Sequence, residues 1–219
     1  LQCSRGDWCS SRSEFEHPDP SRADVCDLLR HLAPRPEEAV RLIVQTRWQD
    51  LTGAELTQIA PAFVDMAHRI VWASVATVDA GGRPRSRVLH PHWSWDGTTL
   101  VGIVATSPVS AKRGHLDRTP YVSVNYWSPE HDTCRAECSA EWILDDEGRE
   151  GVWTTFAEAP DPVGYDPAII PQWSGGPLVA EFAGLRLTPW DLRLMDGTLM
   201  TRGEGRLLTW RDGKDDGTP

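Results

Sequence analysis

Short apolar runs, each closed by a turn signal, govern what this chain can fold into. Ile70 to Val78 (IVWASVATV) is dense in β-branched and aromatic residues and stops at Asp79-Ala80-Gly81-Gly82, the signature of a strand ended by a tight turn. A second extended stretch, Arg85 to Trp95, closes on Asp96-Gly97, a hairpin signal. Thr98 to Ala105 follows as a third strand, and Ser110 to Asp117 predicts one short helix before Pro120. Tyr121 to Trp127 sets Val122, Val124 and Tyr126 against Ser123 and Asn125, the period of two that gives a strand unlike faces. Cys138 to Leu144 predicts a fifth strand ended by an acidic turn, Asp145-Asp146-Glu147-Gly148, with a helix over Gly151 to Ala157. Phe182 to Leu187 and Asp191 to Met195 read as a pair around Thr188-Pro189-Trp190, with Gly205 to Arg211 as a last strand. Successive short strands with tight turns and few helices describe a mainly β chain, a Greek-key or meander barrel.

The ends of the chain differ from this middle. Residues 1–50 form a polar extension in which two short amphipathic helices are predicted, one around Val25 to Leu32 and one around Val40 to Val44, separated by Pro34 and Pro36. A longer helix is expected from Thr52 to His68, with Thr52 and Glu55 at capping-box spacing. Pro61 is expected to end or kink it. The domain organisation read from this is an N-terminal extension over 1–50, one barrel domain over 51–212 and a flexible tail over 213–219.

Charge narrows the function. Twenty-two Lys and Arg against thirty-two Asp and Glu give a net charge of −10, which argues against a general partner in nucleic acid or anionic membrane. No apolar run approaches the ~18 residues of a membrane helix. Five cysteines, an odd number, with no apolar signal segment, predict a reducing, cytoplasmic setting. Within this acidic chain, Ala80 to Leu116 carries Arg83, Arg85, Arg87, Lys112 and Arg113 against the one acid Asp96. A net of +4 there points to a specific anionic ligand, with a solvated face as the plainer reading for Lys112 and Arg113. Two cations opening a helix are locally unfavourable unless an anion also binds. Backbone N–H groups, the Ser107 or Ser110 hydroxyl and Lys112 are together suited to a phosphate.

The runs ASVATVDAGGRPRSRVLH (Ala73–His90) and VGIVATSPVSAKRGHLDRTPYVSVNYW (Val101–Trp127) resemble the pyridoxamine 5'-phosphate oxidase-like, FMN-binding split-barrel family. The shared order is a strand ending in an acid-x-Gly-x-Pro turn, a strand carrying Ser-Arg-Val-Leu, a strand ending in Thr, then Ser-x-Lys and a short helix. The resemblance covers residues 65–145 well and the last third loosely. It implies a six-stranded antiparallel split β-barrel with short flanking helices, a homodimer, and a flavin at the interface between the two copies. Position by position, it implies that Arg87, Val88 and Leu89, flanked by Arg85 and His90, contact the flavin and its phosphate tail. Ala105 and Thr106, followed by Ser107, match the strand end beside the ring or ribityl chain. Ser110 and Lys112 match the phosphate-binding element, with Arg113 beside them.

Three departures bear on activity. The oxidase pattern has Arg-Lys where this chain has Ala111-Lys112, and Tyr before Thr where it has Ala105. Leu185 to Arg211 lacks the Arg-x-His element that acts on pyridoxine. The resemblance therefore implies an oxidoreductase acting on some other small organic substrate, with FMN or a deazaflavin coenzyme. The alternative is a protein of the same fold that holds a cofactor, or haem, without turnover. The ring would carry the chemistry, and no side chain is assigned as catalytic acid, base or nucleophile.

Other groups have plainer readings. His131, Cys134 and Cys138 lack a fourth partner and a standard spacing, so no metal is predicted. His90 and His92 flank Pro91 and share a face, lining a pocket or simply packing. Eleven tryptophans suit a β-rich core or a planar-ligand site; Trp93, Trp95, Trp127 and Trp142 are read first as packing. Pro160 to Pro177 holds five prolines and three glycines, an irregular loop whose Tyr165–Trp173 segment has the character of a substrate-side lid or a rigid strut.

Overall fold

The computed structural model describes residues 53–213. The readings of the extension helices, the Thr52 cap and the tail beyond 213 lie outside the described residues. Eight strands form one antiparallel sheet: β1 (Ala73–Val78), β2 (Pro84–Leu89), β3 (Pro91–Trp95), β4 (Leu100–Thr106), β5 (Tyr121–Trp127), β6 (Thr133–Ile143), β7 (Ala183–Met195) and β8 (Leu207–Arg211). Their order is β2-β1-β5-β6-β7-β4-β3, with β8 paired to β7. Two more strands are present than the six expected. The expected stretch from Arg85 to Trp95 is cut at His90 into β2 and β3, which pair with β1 and β4 respectively. β2 and β3 are thus the two ends of the sheet, and one residue of chain joins them. The barrel is closed at that corner by covalent connection and split elsewhere.

β7 carries the largest correction. Thr188-Pro189-Trp190 does not turn the chain; Ala183–Met195 is one 13-residue strand. It pairs with β6 along its length, and the register shifts between Glu137 and Cys138. Proline has no N–H to give a ladder and is tolerated at such a bulge, so the turn signal is absorbed as an extra residue. One half of β7 pairs with β4 and the other with β8. β6 correspondingly begins at Thr133, five residues earlier than Cys138.

Among the described residues, four helices flank the sheet: α1 (Leu56–Ile70), α2 (Lys112–Leu116), α3 (Asp146–Glu158) and α4 (Gly197–Arg202). α1 runs through Pro61 instead of ending there, because its stripe of Ile59, Ala60, Phe63, Met66 and Ala67 is buried against the sheet. That burial, at about 1.5–3 kcal/mol for each large side chain, outweighs the single hydrogen bond proline removes. Its start is held by the Glu55 N–H donating to Gln58 Oε1 at 3.3 Å. The acidic stretch after β6 is not a turn but the start of α3, since Asp145 accepts from the Gly148 N–H at 2.8 Å. α4 was not anticipated.

Two cores result. The larger lies between α1 and the sheet, with Trp93 at its centre: its Nε1–H donates to the Tyr126 hydroxyl at 2.8 Å, and Phe63 meets its ring edge-on at 5.0 Å. The smaller joins Val152 and Phe156 of α3 to Trp173 and Phe182. β4 serves both, with Leu100, Gly102, Val104 and Thr106 buried on one face and Ile103 and Ala105 turned to the smaller core. No helix among the described residues is long and apolar enough to cross a membrane.

Candidate functional site

The corner at His90 opens into a cavity of about 450 Å³, within the range of small-molecule sites. Its sheet side is Val88, Leu89, His90, Ala105 and Thr106; facing them are Trp72, Tyr165, Ile169, Ile170 and Trp173. Five of the residues that sequence comparison singled out therefore meet in one place, and the Tyr165–Trp173 segment covers them. That segment is two 3-10 turns, Pro167–Ile169 and Pro171–Trp173, fixed at both ends. The Trp173 Nε1–H donates to the Glu181 carbonyl at 2.9 Å, and the Tyr165 N–H to the Phe156 carbonyl at 3.0 Å. Gly164 is required just before it, since a Cβ there would lie 1.8 Å from the Ala159 carbonyl oxygen.

Rings dominate the interior. Tyr165 stacks on His90 at 5.3 Å and 25°, Trp72 approaches His90 at 5.1 Å, and Phe156 meets both Tyr165 and His90. Trp72, a residue not singled out from sequence, reaches this position through Val71, whose φ of 71° and ψ of −62° place it in a strained γ-turn. The Trp72 N–H closes that turn on the Ile70 carbonyl at 2.9 Å. Burial, then the nearby His92, lowers the His90 pKa below its ordinary value. His90 Nε2 is fully enclosed without a hydrogen-bond partner.

The cations lie next to this lining along the chain, Arg87 just before Val88 and Lys112 shortly after Thr106. Arg87 lies over β1: its Nη1 donates to the Val75 carbonyl at 3.2 Å and to Thr77 Oγ1 at 2.8 Å. Lys112 Nζ donates to Ser110 Oγ at 2.6 Å, and that hydroxyl donates to the Ser107 carbonyl at 2.9 Å. Burial, followed by repulsion from Arg87, lowers Lys112 to about 8. The two charges are thus held within reach of each other, and neither has a carboxylate within 4.0 Å among the described residues. The other cations are not brought here. Asp79 takes Arg83 at 2.9 Å and Arg85 at 3.9 Å, and Arg113 pairs with Asp117 at 3.0 Å while lying 5.3 Å over the Trp142 ring. Of the +4 segment, two unpaired charges remain.

Thr77 and His115 were missed from sequence. The buried Thr77 hydroxyl meets Arg87 and also His115 Nδ1 at 2.9 Å, linking β1, β2 and α2. Trp93 is core, Trp127 is exposed beside His131, and Cys134 and Cys138 are buried free thiols on β6.

Solved structures share this architecture. A pyridoxinephosphate oxidase family protein from Clostridium acetobutylicum, related to a general stress protein, superposes with a TM-score of 0.52 at 11% identity, over 73% of this chain and 96% of its own. The fold is that of the pyridoxamine 5'-phosphate oxidase-like split barrels. A pyridoxamine 5'-phosphate oxidase-related, FMN-binding protein from Nostoc punctiforme is similar at 18% identity over 67% of this chain and 86% of that one, with a TM-score of 0.48. An F420 reductase is similar at 14% identity over 58% and 93%, with a TM-score of 0.41. No family model and no curated protein matches the sequence.

Proposed function

We propose that the chain is a flavin-binding oxidoreductase, acting on a small organic substrate with FMN or a deazaflavin coenzyme. The observation that carries this is the unpaired couple Arg87 and Lys112 next to an uncharged, ring-lined cavity. Two partly buried like charges without carboxylates repel each other, and an anion between them relieves that cost. Arg87 and Lys112 would hold the phosphate tail, with the Ser110 hydroxyl as a further polar contact. Val88, Leu89, Ala105 and Thr106 would bound the ring. When bound, the ring supplies the hydride or electron transfer. The chain's own part is to hold the phosphate, exclude water beneath Tyr165–Trp173 and present a second molecule to the ring. Exposed apolar residues on and beside the β2-β1-β5 face, Trp72, Val88, Tyr121 and Trp127, support a homodimer, since such patches mark association surfaces.

Titration with FMN tests the reading. Flavin fluorescence is expected to be quenched on binding, and the bound flavin to bleach with dithionite and recover in air. Lys112→Ala and Arg87→Ala should each weaken binding about tenfold to a hundredfold, each charged hydrogen bond being worth ~1.5–3 kcal/mol. A protein that binds neither FMN nor the deazaflavin coenzyme overturns it.

A further inference from the structure

We infer that the lid side of the cavity selects an uncharged, planar aromatic molecule bearing a hydrogen-bond acceptor, and that Tyr165 is the residue that reads the acceptor. As the substrate half of a redox site, this rests on the reading above.

Charge comes first. No residue lining the cavity carries a fixed charge, and its two titratable members are His90 and Tyr165. Burial disfavours the charged form of each, lowering His90 and raising Tyr165 to about 12, so both are neutral near pH 7. The cations of the neighbouring segment are turned to Asp79, Asp117 or the Arg87–Lys112 couple, and none of them lines the space. An ionic ligand would leave water here without a counter-charge, which is costly.

Shape and polarity follow. Tyr165 is backed by the stacked His90 ring, and with Trp72 and Trp173 it lines the space with aromatic surface; flat π-faces favour flat partners. The Tyr165 hydroxyl makes no hydrogen bond among the described residues, although the Tyr165 backbone N–H is satisfied. His90 Nε2 is also unpartnered, but it is shut beneath the rings and closed to a ligand. Of the other donors in the lining, Thr106 belongs to the sheet side that would bound the flavin ring and Trp72 is largely exposed, so on the lid segment the free donor is the tyrosine hydroxyl.

The test is calorimetric titration of the FMN-loaded protein with 2-acetonaphthone and with 2-naphthoate, which share a ring system and differ in charge. 2-Acetonaphthone is expected to bind at least tenfold more tightly. Tyr165→Phe keeps the stacked ring and should weaken 2-acetonaphthone about two- to tenfold, with a smaller effect on 2-naphthoate. Ile170→Lys places a cation on the wall and should reverse the preference. Equal or tighter binding of 2-naphthoate by the unmodified protein overturns the inference. So does equal weakening of both probes by Tyr165→Phe, or displacement of 2-acetonaphthone by FMN. If FMN does not bind at all, the cofactor reading falls, and the same comparison on the unloaded protein still decides this one.

Discussion

Arg87 is anchored on Thr77: its Nη1 lies 2.8 Å from the buried threonine hydroxyl, which His115 Nδ1 approaches from the opposite element at 2.9 Å. One oxygen thus fixes a guanidinium on β2 and an imidazole on α2. Thr77→Val keeps the shape and the β-branch while deleting that oxygen. It is expected to lower stability by about 1–3 kcal/mol, the cost of leaving buried polar groups unsatisfied, and to loosen FMN binding several-fold. Denaturant melts and an FMN titration on the same variant check both. Unchanged FMN affinity would show that Arg87 needs no support from β1.

Lys112 would give the proposed cofactor site a pH dependence. Its pKa of about 8 means the charge is present below that value and lost as pH rises through it, in the ligand-free protein. FMN affinity is therefore expected to fall between pH 7 and 9, with Lys112→Arg flattening the profile because guanidinium stays protonated. A flat profile in the unmodified protein would remove Lys112 from the phosphate site.

Three histidines make the fold sensitive to acid. His68 Nε2 accepts the Trp93 N–H at 2.9 Å, and its ring lies 5.1 Å from His92. Burial, then repulsion from His92 and His90, lowers His68 to about 4; burial first also lowers His90 and His92. The folded state therefore binds fewer protons than the unfolded chain below pH 6.5. The stability this contributes is complete above 6.5 and is lost as pH falls toward 4. Thermal melts across that window should show a falling Tm, with a shallower slope in His68→Gln, whose side-chain oxygen still accepts from Trp93. An equal slope in both proteins would place the acid sensitivity elsewhere.

Much of the sheet is legible in the sequence because strand alternation and turn dipeptides are local signals. Tyr121–Trp127 is bounded correctly from its alternation alone. What fails is non-local. Nothing in Arg85–Trp95 reveals that the chain changes partners at His90, since both halves are extended and proline is at home in extended backbone. Thr188-Pro189-Trp190 carries turn chemistry, yet β6 offers an unbroken template that holds it straight. For the site, Arg113 is read from sequence beside the phosphate element, and its i,i+4 spacing to Asp117, the pair the structure forms, is a local signal that reading does not use. The role of Thr77 is not visible locally, because it depends on which helix crosses the end of β1. Trp72 was hidden inside a run that reads wholly as strand, and only the turn at Val71 sets it apart.

The single-residue join between the two sheet edges has a further meaning. The hollow at His90 is not carved out of a finished barrel; it is the seam where hydrogen bonding between β2 and β3 was never completed. Room for a ligand and incomplete closure are one property of this architecture. A bulkier side chain at Ala105 that knit the seam shut would gain packing and forfeit the hollow, so natural variation at the seam is where firmness and usefulness must be traded.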